Sequence, residues 1–238
     1  MSTINLLYKN NYAINDKVKI IIPTVGDILK DEDNYYNLIS MLTAMPIDLM
    51  CDLEDAGIDF TSINDYDLFL ILFKSISEYD TSLVFGDLDL SKFELGISQQ
   101  NGNPVMFDEE NDIVIDRAIH GRITATIRKI HHLTKNKRKP GNIEAKEYML
   151  ERARIKRKRA KRPSDFSELE NMIVALVNTE QFKYDYDGAK NLSIYQFNES
   201  LHQIIKKVDY EHKMHGIYSG VISAKEFSQD ELNWLIHK

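Results

Sequence analysis

One cysteine, Cys51, is all the thiol this 238-residue chain has. That excludes an internal disulfide and a cysteine-built zinc site, and it fits a reducing compartment. In a helical segment Cys51 reads as a small buried apolar residue. With only 5 Pro and 10 Gly, long disordered linkers have no compositional basis. No apolar run approaches the ~18 residues a membrane-crossing helix needs, so no membrane partner is expected. Met1-Ser2-Thr3-Ile4-Asn5 lacks the basic and apolar regions of a signal peptide. The chain is therefore expected to stay in the cell that makes it, unless it leaves as part of a particle. Glycine-rich phosphate loops are missing, and so is the Gly-x-Ser-x-Gly elbow of a serine hydrolase. The most telling absence is arginine: residues 1–116 contain none.

What is present is charge sorted along the chain. Residues 1–116 hold 6 Lys against 22 Asp and Glu, a net of −16. Residues 117–162 reverse this, with 17 Lys and Arg against 3 Glu, a net of +14. Residues 163–238 return to a net of −5. A surface arranged this way is made for charged macromolecular partners. The sorting predicts three parts: an acidic N-terminal helical lobe with a small β-hairpin (1–116), a basic helical arm (117–162) and a C-terminal helical lobe (163–238). An apolar content of 43% suffices for a core.

Hydrophobic periodicity gives the elements. Residues 17–22 read as a strand stopped by Pro23. Thr24 and Asp27 have the spacing of a capping box. Tyr35, Leu38, Ile39 and Leu42 form one face of a helix over 32–44. Pro46 suits the first turn of another, ended by Gly57. Residues 65–79 are apolar nearly all round, which predicts a central buried helix. Between 81 and 116 the period turns strand-like. Asn101-Gly102 marks a hairpin between 93–98 and 105–107, with 113–115 as a third strand. Asp116 caps a helix whose stripe is Ile119, Ile123, Ile127 and Ile130.

A second basic helix is expected over 142–161. Its stripe of Ala145, Met149, Ala153 and Ala160 is poor, and Pro163 closes it. Ser167 with Glu170 resembles a capping box. Ser193 precedes the cleanest stripe of all: Ile194, Phe197, Leu201, Ile204 and Val208. Gly216-Ile217-Tyr218-Ser219-Gly220 reads as a helix stop with a turn that packs Tyr218. Ser228 and Glu231 cap a short last helix with Trp234 and Leu235. The class is mainly α with a small antiparallel β element (α+β), helical lobes joined by basic helices. The helix share should be roughly 55–65%, above the ordinary third.

No catalytic set emerges. His212 and His215 sit one turn apart, but a zinc site needs two more ligands, and none has recognisable spacing. His131 and His132 point to different faces beside the basic run and are expected at the surface, where they could meet phosphate. The carboxylate clusters Asp31-Glu32-Asp33, Asp52/Glu54/Asp55, Asp87/Asp89 and Asp108-Glu109-Glu110 suit turns, helix starts and solvated faces. Catalytic residues, metal ligands and cofactors are therefore expected to be none. The candidate binding residues are those of the arm: Lys137, Arg138, Lys139, Arg152, Arg154, Lys156, Arg157, Lys158, Arg159, Lys161 and Arg162. They fit three readings: a solvated helix that balances its own acidic lobe, a grip on an acidic protein, or salt-dependent contact with nucleic acid. Only Tyr148 is interleaved with them, which leaves base stacking unsupported.

Several stretches resemble a known family. They are Leu176-Val177-Asn178-Thr179-Glu180-Gln181-Phe182-Lys183-Tyr184-Asp185, Leu192-Ser193-Ile194-Tyr195-Gln196-Phe197, Gly216-Ile217-Tyr218-Ser219-Gly220 and Leu232-Asn233-Trp234. Ile21-Ile22-Pro23-Thr24-Val25, residues 31–36 and Asp55-Ala56-Gly57-Ile58-Asp59-Phe60 join them. Together they resemble proteins of tailed bacteriophages and prophages of Gram-positive hosts, which are encoded among virion-morphogenesis genes and labelled tail assembly chaperones or structural proteins. The resemblance implies a non-enzymatic assembly or virion protein that binds phage tail or virion proteins of the tape-measure or tail-tube kind. It implies host cytoplasm during assembly, and the particle if the protein stays with it. A nucleic-acid-binding or packaged virion protein using 142–162 is the alternative.

Overall fold

The structure is a computed structural model that describes residues 5–159 and 167–235. It is 52% helical with two small antiparallel sheets, the mainly helical α+β class expected from periodicity, with slightly less helix.

The acidic end opens with a two-stranded hairpin, β1 (Asn11–Ala13) on β2 (Lys19–Ile21), paired Tyr12 to Ile20. Pro23 ends the strand. Thr24 then caps the short α1 (Val25–Ile28), and its box with Asp27 is complete. α2 (Glu32–Thr43) buries Tyr35, Leu38, Ile39 and Leu42 as its stripe predicts. α3 (Met50–Asp55) starts later than Pro46 suggests. Asp48 is the reason: its carboxylate accepts from the Met45 amide at 2.9 Å and holds a turn ahead of the helix. Gly57, at φ +76°, ends α3 in a conformation that favours glycine.

α4 (Asp65–Ser77) is capped by Asn64 and buries Tyr66, Leu68, Phe69, Phe73 and Ile76. It is not buried all round, because Ile71 is 46% exposed. α5 (Ser82–Phe85) leads to β3 (Glu94–Ile97), β4 (Pro104–Asp108) and β5 (Ile113–Ile115), a meander in that order. Gly102 supplies the turn at φ +70°. The Tyr66 hydroxyl donates to the Ile115 carbonyl at 2.8 Å and pins α4 under this sheet.

α6 (Arg117–Ile130) is capped by Asp116 and buries Ile123, Ile127 and Ile130. It ends through His132, at φ +54°, while the Leu133 amide reaches back to the Arg128 carbonyl at 2.8 Å. α7 (Ile143–Arg159) is the basic helix. Its expected end at Lys161, with Ala160 and Pro163, lies outside the described residues. α8 (Glu168–Val177), α9 (Tyr186–Asn191) and α10 (Ile194–Tyr218) complete the order. At α8 the expected box is only half made. Ser167 accepts from the Glu170 amide, but the reciprocal carboxylate is Glu32 of α2, which takes the Ser167 hydroxyl and the Leu169 amide.

One buried cluster runs from Leu6 to Phe197 and includes Leu169, Ile173, Leu176, Leu192 and Ile194 beside the strands and helices of the acidic end. Backbone ties reinforce it, with Val25 donating to Leu192 and Ile194 to Pro23, each at 2.9 Å. A smaller cluster gathers Cys51, Leu53, Phe60, Leu68 and Leu150, joining α3, α4 and α7. Beyond Phe197, α10 has no fully buried side chain. Its predicted stripe continues through Leu201, Ile204 and Val208, half-buried. The segment after α10 folds back along it: Ile222 packs on Gly216, and the Gln203 amide donates to the Trp234 carbonyl. The turn at 216–220 does not pack Tyr218, which is 82% exposed. Ser228 and Glu231 bond reciprocally as a cap should, yet a turn follows and no helix forms among the described residues.

Candidate functional site

The basic arm lies along α3, and its inner face is matched to the acidic run there. Lys146 reaches Glu54 at 2.5 Å and Asp59 at 2.9 Å, with its ammonium 5.4 Å from the Phe60 ring centre. The bond to Glu54, then that to Asp59, holds the Lys146 ammonium above its ordinary pKa. Bonds from Thr61 and then Lys146 lower the Asp59 carboxyl to about 2. Further along, Arg154 meets Asp55 at 2.7 Å and Arg157 meets Asp52 at 2.8 Å. Leu150 is buried between them, with Met149 and Ala153 packed beside it.

Two of the candidate cations are thus satisfied within the chain. A third, Arg152, lies over the Tyr148 ring at 5.7 Å. Lys156, Lys158 and Arg159 are exposed and make no ion pair among the described residues. The same holds for Lys137, Arg138 and Lys139, in the loop ahead of α7. That loop is fixed by its neighbours: Lys135 bonds Asp65 at 2.6 Å and Asn136 bonds Asp48 at 2.9 Å. Lys161 and Arg162 lie outside the described residues.

The histidines divide differently from the expectation. His131 is turned inward, its Nε2 3.0 Å from the Tyr35 hydroxyl, and burial lowers it to about 4. His132 lies 3.5 Å from Glu199 and stacks on Tyr195. His120, buried against Phe69 and Tyr66, is also lowered to about 4, chiefly by burial. His212 and His215 are exposed. No three side chains among the described residues are grouped to hold a metal ion.

The largest concavity described is an open groove of about 1310 Å³. One wall is the end of α6 with Lys129, His132 and Leu133; the other is α10 with Tyr195, Glu199 and Ile204. Leu7, Tyr8, Phe182, Lys183 and Tyr184 also line the groove. Phe182 and Tyr195 are nearly buried, while Tyr8, Leu133 and Tyr184 are 86%, 44% and 47% exposed. The lining interleaves apolar side chains with Arg128, Lys129 and Lys183 and a single carboxylate, Glu199, which is the chemistry of an amphipathic surface. Sequence reasoning missed this groove because its residues come from four separate segments. The one local signal was aromatic residues alternating through a polar loop, Phe182 and Tyr184.

The described residues thus form a mainly helical α+β fold with an open groove between α6 and α10 and a charged arm laid along α3. Residues 157–237 match the family model of the YomV second domain, a phage-associated family. That match supports a phage protein. It begins in the last turn of α7 and takes in the α10 wall of the groove. No curated protein and no solved structure matches the chain.

Proposed function

We propose that the chain is a non-enzymatic phage assembly or virion protein that binds other phage structural proteins, in the manner of a tail assembly chaperone. The observation that carries this reading is the groove between α6 and α10, most of its lining supplied by the phage-associated segment. Its amphipathic lining suits one face of a helix from a tape-measure-like or tail-tube-like protein, which would meet it in the host cytoplasm during assembly. Nothing in that role requires turnover, a metal or a cofactor. Co-expression with the tape-measure and tail-tube proteins of the same phage should yield a complex. Ile204→Asp and Tyr184→Ala should each weaken it at least tenfold, whereas Arg154→Ala should not. If no tail or virion protein binds, the proposal fails.

Nucleic acid is the second reading. It rests on the six unmatched cations Lys137, Arg138, Lys139, Lys156, Lys158 and Arg159. A gel-shift series across salt separates the two. Binding that weakens steeply with salt, and is lost when Lys156, Lys158 and Arg159 become Glu, favours this reading. No shift at low salt ends it.

A further inference from the structure

The outer face of α7 has a property that its inner face does not explain. Its first half carries Glu144, Glu147 and Glu151, and its second half Lys156, Lys158 and Arg159. All six are exposed and none forms an ion pair among the described residues. The helix dipole favours acid at the start and base at the end, so the ends alone have a local reason. The dipole gives no reason for the apolar residues between them. Tyr148 is 59% and Ile155 39% exposed, two turns apart on that same face.

A helix face that is acidic in one half and basic in the other, with Glu151 and Arg152 at its centre and Tyr148 and Ile155 on either side of them, is complementary to itself in one orientation. Laid antiparallel on its own copy, the acidic half meets the basic half at both ends, Glu151 faces Arg152 at the centre, and Tyr148 meets Ile155 on either side of that pair. Laid parallel, like charges face each other along the whole length. We infer that α7 is a self-association surface, and that its occupant is a second copy of this chain packed antiparallel across a twofold axis.

The groove between α6 and α10 takes no part in this contact, so a structural partner and a second copy can be held together. Seventeen residues make about 25 Å of helix, which places the contact in the weak class below roughly 1,200 Å² of buried surface. Charge sets its orientation, so added salt should loosen it.

Sedimentation equilibrium of the full chain across concentration and salt tests this. The expected result is a monomer–dimer equilibrium that shifts to monomer as salt rises. Glu144→Lys with Glu151→Lys leaves Glu147 as the only acid on a mainly basic outer face, and Lys158→Glu with Arg159→Glu makes that face mainly acidic, with Arg152 and Lys156 remaining. Each double variant alone should be monomeric, with the helical circular dichroism of the parent. Mixed one to one, the two should associate, because their faces are now complementary. That recovery cannot come from variants that fail to fold. A parent that is monomeric at every soluble concentration overturns the inference. So does a dimer that both double variants keep, and so does a mixture that stays monomeric.

Discussion

At the residue scale, the groups that carry most consequence are polar side chains placed where water is scarce. His120 lies 4.5 Å, ring centre to ring centre, from Phe69. In the unfolded chain its imidazole takes a proton near pH 6.5; folded, it does so only at about 4. Between those values the unfolded state binds more protons. Stability is therefore full above about pH 6.5 and falls as the pH drops toward 4, by roughly 3 kcal/mol in the limit. His131, lowered to about 4 by burial, acts in the same direction. Urea titrations from pH 7.5 to 4.5 should show this decline, and His120→Leu should flatten part of it. An unchanged slope in that variant would show that the loss comes from other groups. Phe197 offers a test of packing alone: it is fully buried at the start of α10. Phe197→Ala should cost about 3–5 kcal/mol in the same titration at neutral pH.

At the scale of elements, α7 is the exception. Helices α2, α4, α6 and α8 each bury a stripe and α10 buries its first turn, whereas α7 buries only Leu150, with Met149 and Ala153 packed beside it, and is tied to the acidic side chains of α3 by Lys146, Arg154 and Arg157. The exposed Arg154 and Arg157 pairs contribute about 0.2–1 kcal/mol each. Amide exchange across 146–159 should therefore be faster than in α4, and faster again with salt. Leu150→Ala should release the helix while leaving α4 protected. Strong protection that is indifferent to salt would show that apolar packing holds it.

The same contrast explains how much was legible beforehand. Where local chemistry decides, as at the Thr24, Asp116 and Ser193 caps and the Asn101-Gly102 turn, the sequence was enough. Where a distant partner decides, it was not. β1 has no alternation and exists because β2 pairs with it. Glu32 completes the α8 cap from across the molecule. Leu150 is a core residue only because α3 lies beneath it. The candidate arm was visible as a charge run, but which of its cations are spent on Asp52 and Asp55 was not, since sequence shows charge and not its pairing. The groove, assembled from four segments, left almost no local trace.

At the scale of the whole molecule, the charge boundaries and the packing boundaries do not coincide. The acidic, basic and acidic stretches divide the chain near 116 and 162, and the phage-associated match begins at 157. Yet Leu169, Ile173, Leu176, Leu192, Ile194 and Phe197 are buried in one cluster with Val25, Tyr35 and Ile127. Burying side chains of this size is worth about 2 kcal/mol each, so these six contribute about 12 kcal/mol. A domain's entire net stability is about 5–15 kcal/mol. Residues 1–156 made alone should therefore lack a cooperative unfolding transition, and residues 157–238 made alone should expose the faces of α8 and the start of α10. Mixed, the two pieces should recover a common transition, since what each lacks is the other's apolar face. The cut falls inside α7 after Leu150, Met149 and Ala153, the residues by which that helix joins a core, so few buried contacts are lost at the break itself. Sharp, independent melting of either piece would show that the phage-associated segment is a self-sufficient unit and that the shared cluster is an interface between two stable bodies.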